Sequence, residues 1–451
     1  AYEVMPSLVG SEMCIRDRGE RVQVEFVSVN PTGPLHIGHG RGAVIGSVLS
    51  NILEEAGYKV VREYYINDAG TQIDLFALSV YARYMEALGR EYEFPHEGYR
   101  GEYVKDIALE IKEEYGNEIA NLPESEALQR IKNIAVDKML RSIREDLELI
   151  GVSFDVWFSE KSLFEKGVFE KVMGILREKG YVKEKENALW FSSDSLGEDK
   201  ENVLIRRTGA PTYFASDIAY HYDKFIIRGF DRVINIWGAD HQGHVNRIKA
   251  AIQAFGIDPS RLHIIIFQMV NLKKGEEFIK ASKRAGELIT LRELIDEVGR
   301  DVARFFYLLR TSDSQMEFDL ELAKKESMDN PVYYIQYAYA RICGILRHAE
   351  ERGVSASGDI SLLSSQPEIE LIKKLIEFPE ILDICVRSLE PHYLPFYLHE
   401  LAVAFHNFYT RCRVISDDDE LSRARLKLVL ASKIVIGKAL KILGVSAPER
   451  M

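Results

Sequence analysis

The spacing of apolar residues along the chain switches repeatedly between two periods. Residues 22–29 alternate apolar and polar, the pattern of a strand with one buried face. Gly33-Pro34 breaks that pattern, and Val44, Ile45, Val48, Leu49, Ile52 and Leu53 then recur at helical spacing, with Gly57 as a helix stop. Residues 58–66 read as a second strand ending in Asn67-Asp68-Ala69-Gly70. Polar groups at the C-terminal end of a strand sit where open α/β sheets keep their ligands. From about 75 to 150 the period is helical, interrupted near Pro95 to Gly98 and at Pro123, and the segment is charged enough to be expected outside the core. Strand character returns at 154–158, and a helix follows to Lys179 with Gly180 just beyond its end. Short apolar runs at 189–191 and 203–205 predict a small β element, and 233–237 and 262–270 predict further strands. Thr290 and Glu293 form a capping box that opens an amphipathic helix through Arg310. Beyond about Leu322 strand signals vanish. Four long helices are predicted at 331–349, 368–389, 393–413 and 421–443, with a Ser- and Gly-rich loop at 353–366. The pattern predicts an α/β domain with a helical insertion, followed by an all-helical domain.

Composition narrows this picture only modestly. The 451 residues suffice for two or three domains, and 46% hydrophobic with 28% charged content is that of a globular protein. No apolar run reaches the ~20 residues that span a bilayer, and no secretory signal pattern is present. The four cysteines show no CxxC spacing. That argues against a structural zinc site and a disulfide framework, and fits a reducing cytoplasm. A net charge of −12 leaves no global footprint for nucleic acid, so RNA binding must come from a local face.

Four groups of residues carry candidate chemistry. His36-Ile37-Gly38-His39 falls where a strand hands over to a helix, whose start offers unpaired N–H groups and a positive dipole end to a phosphate. Gly38 leaves the backbone open to a base or ribose. Lys280-Ala281-Ser282-Lys283-Arg284 is a basic loop, by itself equally a solvated surface turn. Tyr213 and Asp217 lie four apart on one helix face, where a carboxylate can pair bidentately with a guanidinium or simply face solvent. Tyr333, Tyr337 and Arg341 line a helix whose tyrosines can stack on unpaired bases or pack as half-buried core.

His-Ile-Gly-His on such a turn resembles the ATP-binding signature of class I aminoacyl-tRNA synthetases, and the run from Ser28 to His36 resembles the arginyl-tRNA synthetase version. Lys280 to Arg284 resembles that class's KMSKR loop, with Ala281 where methionine is usual. The segment 330–342 resembles the start of the family's anticodon-binding domain, and the resemblance covers about residues 20–451. It implies a Rossmann-like parallel sheet in a catalytic domain at 20–321, with the insertion at about 75–150, and a helical anticodon-binding bundle at 322–451. It implies ATP, bridged by Mg²⁺, L-arginine and tRNA-Arg as partners, and a cytoplasmic monomer with no membrane association. Under the resemblance His36, His39, Lys280 and Lys283 are catalytic. Gly33, Gly38, Asp240 and Ser282 join them in binding ATP. Asn30, Tyr213, Asp217, His241 and Gln242 bind arginine, and Tyr333, Tyr337 and Arg341 contact tRNA. Two rival readings are an HxGH nucleotidylyltransferase and a non-catalytic synthetase-like RNA-binding protein. Residues 8–18 resemble a translated sequencing adapter, so residues 1–19 are expected to be non-native and the family's usual N-terminal domain lost. The end of the chain, 444–451, resembles the family's C-terminus and is expected to be complete.

Overall fold

The computed structural model describes residues 19–192, 201–274, 277–279 and 289–451. The adapter-like segment and the whole Lys280 to Arg284 loop lie outside them.

At the centre is a five-stranded, all-parallel sheet ordered β3-β2-β1-β7-β8. Its strands are β1 (Arg21–Glu25), β2 (Lys59–Ile66), β3 (Val156–Ser159), β7 (Arg232–Gly238) and β8 (Leu262–Phe267). Strand β1 is shorter than the alternation in 22–29 suggests, and both of its faces are buried: Val22, Gln23, Val24 and Glu25 are all inside. Parallel strands covered on both sides leave no solvated face for a polar alternate. Gln23 and Glu25 therefore point into a buried polar layer rather than water. The chain runs from β1 to β2 on one side and reaches β7 on the other, so the crevice at the C-terminal ends of β1 and β7 is a topological switch point.

Helix α1 (Ile37–Glu55) links β1 to β2 and lies unusually close to its neighbours. A Cβ on Gly42 would come within 2.9 Å of Phe267, one on Gly46 within 2.2 Å of Phe26, and one on Gly40 within 2.7 Å of the Tyr307 hydroxyl. The insertion forms α2 (Thr71–Ala87), α3 (Glu102–Tyr115) and α4 (Glu124–Leu149). It does not lie outside the core as its charge suggests. Val104, Ile111, Ile131 and Ile143 are fully buried and continuous with the main core, because each helix is amphipathic and only its outer face is charged.

Helix α5 (Val168–Glu178) then leads to a small antiparallel sheet of β4 (Val182–Lys185), β5 (Ala188–Phe191) and β6 (Asn202–Ile205). Helix α6 (Tyr213–Tyr222) is capped by Thr212 and returns the chain to the main sheet, and α7 (Val245–Ala254) follows β7. The predicted strand 262–270 is two pieces. It breaks after β8, and β9 (Val270–Lys274) joins a separate sheet between β10 (Glu277–Ile279) and β11 (Met316–Asp319). The predicted helix after Thr290 is also two, α8 (Leu291–Val298) and α9 (Arg300–Tyr307), parted by Gly299 at φ +81°. The capping box of Thr290 and Glu293 forms as read. Four helices complete the chain: α10 (Pro331–Glu351), α11 (Gln366–Ser388), α12 (Tyr393–Arg411) and α13 (Asp419–Leu443).

The bundle shares its core with the α/β part and is stapled to it by polar contacts. Asn51 donates to the Ile442 carbonyl at 2.8 Å, and Lys438 pairs with Glu55 at 2.5 Å. Arg304, fully buried, has no carboxylate partner in the described structure. Its guanidinium donates to the carbonyls of Leu443 (2.8 Å), Ile150 (2.9 Å) and Gly151 (3.1 Å) and to the Ser47 hydroxyl (3.2 Å). Those carbonyls close the C-termini of α13 and α4, the negative ends of two helix dipoles, which a buried cation suits. Replacing Arg304 by Met leaves these acceptors buried without a donor. We expect it to lower the free energy of unfolding by about 3 kcal/mol, since buried acceptors left without a donor cost about 1–3 kcal/mol each. Urea denaturation of the two proteins measures this, and a loss below about 1 kcal/mol would show that the staple is dispensable.

Candidate active site

The connection from β1 to α1 is strained and pinned. Val27 and Ser28 have φ of 68° and 43°, a region that a β-branched residue rarely enters. Such strain persists only where surroundings enforce it, and it gathers at functional sites. Here β2 enforces it: the Tyr65 amide donates to the Ser28 hydroxyl at 3.0 Å and the Tyr64 phenol to the Val29 carbonyl at 2.8 Å. The insertion adds a third tie, from the Tyr103 hydroxyl to the Thr32 carbonyl at 2.7 Å. Tyr103 also fills the space beside Gly33, where a Cβ would stand 3.3 Å from its oxygen.

The two histidines make a reciprocal cap on α1. Nδ1 of His36 accepts from the Gly38 amide at 3.1 Å, and Nδ1 of His39 accepts from the His36 amide at 3.2 Å. Their rings stack with centroids 3.4 Å apart. A nitrogen that accepts carries no proton, so each neutral ring bears its proton on Nε2. Burial holds His36 below the ordinary histidine pKa, and burial together with its histidine neighbour holds His39 well below it. Both are therefore neutral N–H donors at pH 7. The expectation of unpaired helix N–H groups fails. The amides of Ile37, Gly38, His39 and Gly40 all have partners: the Ile289 carbonyl, His36 Nδ1 and, twice, the His36 carbonyl. Donation to an anion thus falls to the two Nε2 atoms. Gly38 has a nearer purpose than admitting a ribose: its missing Cβ would sit 3.0 Å from the His36 ring.

Ile289 and Leu291, which follow the undescribed basic loop, are hydrogen-bonded to this turn. The Ile37 amide donates to the Ile289 carbonyl at 3.2 Å, and the Leu291 amide to the Leu35 carbonyl at 2.8 Å. Arg41 of α1 is fully buried and donates to the carbonyls of Gln268, Thr311 and Ser314, all at 2.8 Å. The segments flanking the basic loop are thereby anchored to the helix that bears the histidines.

Asn30 meets Gln72 at 2.5 Å, at the start of α2. Tyr213, 46% exposed, opens α6, and its hydroxyl lies over Gly70 at the same helix start. Asp217 lies one turn along α6 and is half-buried. Burial first, then Glu25 and Glu160, push its pKa up to about 8, against a smaller opposing pull from Lys224. Glu160 is a residue the sequence reading missed. Buried just past β3, it accepts from the Ser216 hydroxyl, the Tyr65 phenol and, at 2.9 Å, the Asn67 amide. Its own pKa is raised, chiefly by burial and also by Asp68. The rule that picked out Asn67 to Gly70, polar groups at a strand's C-terminal end, applies to it equally. Asp217 and Glu160, with the Lys224-paired Glu25 behind them, so form an acidic group that a further cation would relieve.

Asp240, His241 and Gln242 follow β7 on the same rim of the sheet but are exposed, Asp240 81% so. Asp240 pairs with His241 at 3.4 Å, and neither touches Asp217 or the histidine pair. In the bundle Tyr333 is half-buried, and Tyr337 and Arg341 are engaged with each other and with Tyr409 and His406. This is a surface aromatic cluster rather than a row of free stacking platforms.

Two family models cover most of the chain: "tRNA synthetases class I (R), catalytic domain" matches residues 8–318 and "DALR anticodon binding domain" matches 335–451. An arginine–tRNA ligase from Dehalococcoides mccartyi is 56% identical over 434 residues, covering 96% of this chain and 78% of that protein. The chain belongs to the arginyl class I tRNA synthetase family. A second arginine–tRNA ligase, from Carboxydothermus hydrogenoformans, is 54% identical over 96% of this chain and 78% of its own length. A crystal structure from Campylobacter jejuni, assigned to the arginyl-tRNA synthetases, superposes with a TM-score of 0.87 at 35% identity, covering 100% of this chain and 98% of that one. The arginyl-tRNA synthetase of Thermus thermophilus shares the fold at a TM-score of 0.77 and 20% identity, over 99% of this chain and 86% of its own.

In the ligand-free protein the Asp217 carboxyl titrates near 8 rather than near the ordinary 3.8. The native state then holds a proton that the unfolded chain has released, so this group makes stability fall as pH rises from about 4 to about 8. A ¹³C carboxyl titration reads the midpoint directly, and Asp217→Asn removes that slope from the stability curve. A midpoint below about 5 would contradict the burial described.

Proposed function

We infer that the protein activates L-arginine with ATP and transfers the arginyl group to the terminal ribose of tRNA-Arg. The observation that carries this reading is the acidic group of Asp217 and Glu160 at the same sheet edge as two neutral histidine donors. An arginine carboxylate is already an anion at pH 7, so it needs no general base to attack the α-phosphorus. One carboxylate oxygen bonds to phosphorus, the bond to the bridging oxygen breaks, and pyrophosphate leaves. Alignment and charge neutralisation are what the transition state requires.

In this reading Nε2 of His36 and of His39 donate to phosphate oxygens, beside Gly33 and Gly38. Lys280, Ser282 and Lys283 close on the departing pyrophosphate from outside the described residues. Asp217, Glu160 and Tyr213 take the guanidinium, and Asn30 takes the amino acid head group. Asp240 serves the ribose, and His241 with Gln242 the substrate, from the β7 rim. Magnesium enters as MgATP with phosphate oxygens as its ligands. Among the described residues no group of three His, Cys, Asp or Glu side chains is placed to hold a metal. The bundle, from about residue 322, takes the tRNA, with Tyr333, Tyr337 and Arg341 on the contacting helix. The reading describes a cytoplasmic monomer. No helix among the described residues is long and apolar enough to cross a membrane.

Arginine-dependent ATP–pyrophosphate exchange with tRNA present tests the whole reading. A nucleotidylyltransferase gives no arginine dependence, and a non-catalytic relative gives no exchange. His39→Ala should slow exchange about 10²–10³-fold, the usual loss for one transition-state donor, with the arginine dissociation constant within about twofold. Near-normal exchange would remove His39 from the mechanism.

Because arginine displaces the Asp217 proton, its affinity should rise about tenfold between pH 7 and pH 9, the change in ionised fraction about a pKa near 8. Asp217→Asn should abolish that dependence and weaken binding by about 3–5 kcal/mol. Calorimetric titrations at both pH values decide it: an unchanged dissociation constant in the variant rules Asp217 out.

A further inference from the structure

Lys224 is completely buried at the turn that follows α6, far from any solvent that could hydrate its ammonium. Each of its three donors has a destination. Nζ lies 2.6 Å from Glu25 Oε2 and 3.0 Å from Asn235 Oδ1, and 4.0 Å from the centre of the Tyr220 ring. The contact to Asn235 fixes the orientation of its amide and, through it, the hydrogen bonding of His221. An ammonium has no lone pair, so it must face the amide oxygen of Asn235, and the amide nitrogen therefore points the other way. That nitrogen lies 2.9 Å from His221 Nε2. An NH₂ group donates, so His221 Nε2 accepts and is bare. The proton of the neutral ring then resides on Nδ1, which lies 2.7 Å from the main-chain carbonyl of Asp217. His221 is itself buried, and burial, assisted by Lys224, keeps it neutral.

We propose that Lys224 is a positioning residue for Asp217, acting through Asn235 and His221 to fix the place of the carboxylate that reads the guanidinium. The proposal rests on the reading of Asp217 given above and extends it to the residues that hold it. The relay crosses three elements: Glu25 ends β1, Asn235 lies in β7, and His221 and Asp217 share α6. It locks the helix against the two strands that flank the switch point, so that Tyr213 and Asp217 meet the sheet edge in one register. A bidentate pair to a planar fork tolerates little misplacement, which is why a carboxylate of this kind needs a rigid seat. The relay fixes the tautomer of His221 from both sides: the Asn235 amide leaves Nε2 bare, and the Asp217 carbonyl takes the proton on Nδ1.

Selective ¹⁵N-histidine labelling tests the tautomer in the intact protein, with the His221 signals assigned by their loss in His221→Asn. Wild-type spectra should show Nδ1 protonated and Nε2 bare, and a protonated Nε2 overturns the proposal with no further variant needed. The double variant Glu25→Gln, Lys224→Met removes both charges of the buried pair together. It should raise the arginine KM at least tenfold and leave the ATP KM within about twofold. A folded double variant with an unchanged arginine KM overturns the proposal. Should the double variant not fold, Asn235→Leu, which cuts the link to His221 and keeps the Lys224–Glu25 pair, is measured in its place, and an unchanged arginine KM there overturns the proposal. Asp217→Asn, measured alongside, separates the two levels: an unchanged arginine KM there refutes the parent reading, whereas a raised one with a normal double variant refutes the relay alone.

Discussion

Burying charge on one face of a central parallel strand is the constraint on which the rest of this structure depends. Gln23 and Glu25 of β1 lie inside, and Glu63 of β2 is fully buried beside them. Unpaired charges there would be strongly destabilising, so each must find a counter-charge from another element. Glu63 receives Gln23 at 2.6 Å and a guanidinium nitrogen of Arg228 at 2.9 Å, with the Tyr220 hydroxyl as a third donor. Glu25 receives Lys224. Both cations come from the turn after α6, so satisfying β1 and β2 draws the end of that helix under the sheet. The acidic face of α6 is then carried to the C-terminal ends of the strands. The substrate-facing carboxylates are where they are because other carboxylates, one layer below, had to be neutralised.

A second demand falls on α1. Its glycines let it approach Phe26, Phe267 and Tyr307 closely, and close approach leaves no room for water around Arg41 and Arg304. Both guanidiniums donate mainly to backbone carbonyls, which occur wherever a turn or a helix end presents them. Arg41 collects the turns around the β9 to β11 sheet, and Arg304 collects the ends of α4 and α13. The histidine-bearing helix thus becomes the common reference for the flanks of the basic loop, for the insertion and for the bundle. The reciprocal histidine cap at its N-terminus belongs to the same logic. It uses up the helix N–H groups and leaves two Nε2–H groups as donors, so the site presents directed donors rather than a diffuse dipole.

Much of this was legible beforehand where the signal is local. The Thr290 and Glu293 box, the glycines that stop helices at Gly57 and Gly180, and the four long terminal helices all appear as read, within a few residues at their ends. Local chemistry is enough for them, since a cap or a left-handed glycine acts within four residues. Tyr213 and Asp217 were likewise placed on one helix face by spacing alone. The misreadings share a different cause. Alternation in 22–29 reads as a strand with one buried face, and the charge of the insertion reads as that of an outlying segment. In both cases the outcome turned on what lies on the far side of the element.

Sequence alone determined the order of elements, the strand-to-helix turn that bears the two histidines, and the family to which the chain belongs, because period, capping and short motifs are properties of neighbouring residues. Tertiary structure decided which polar residues are buried and with whom. Glu160 stands 57 positions before Asp217 in the numbering, and only the parallel order β3-β2-β1-β7-β8 brings the end of β3 and the face of α6 to one edge. Lys224 reads in sequence as one more surface lysine. It becomes a buried ammonium because Glu25 and Asn235, from strands separated by some two hundred residues, close over it. Solvation of a charge depends on everything that surrounds it in space, and no window of sequence contains that.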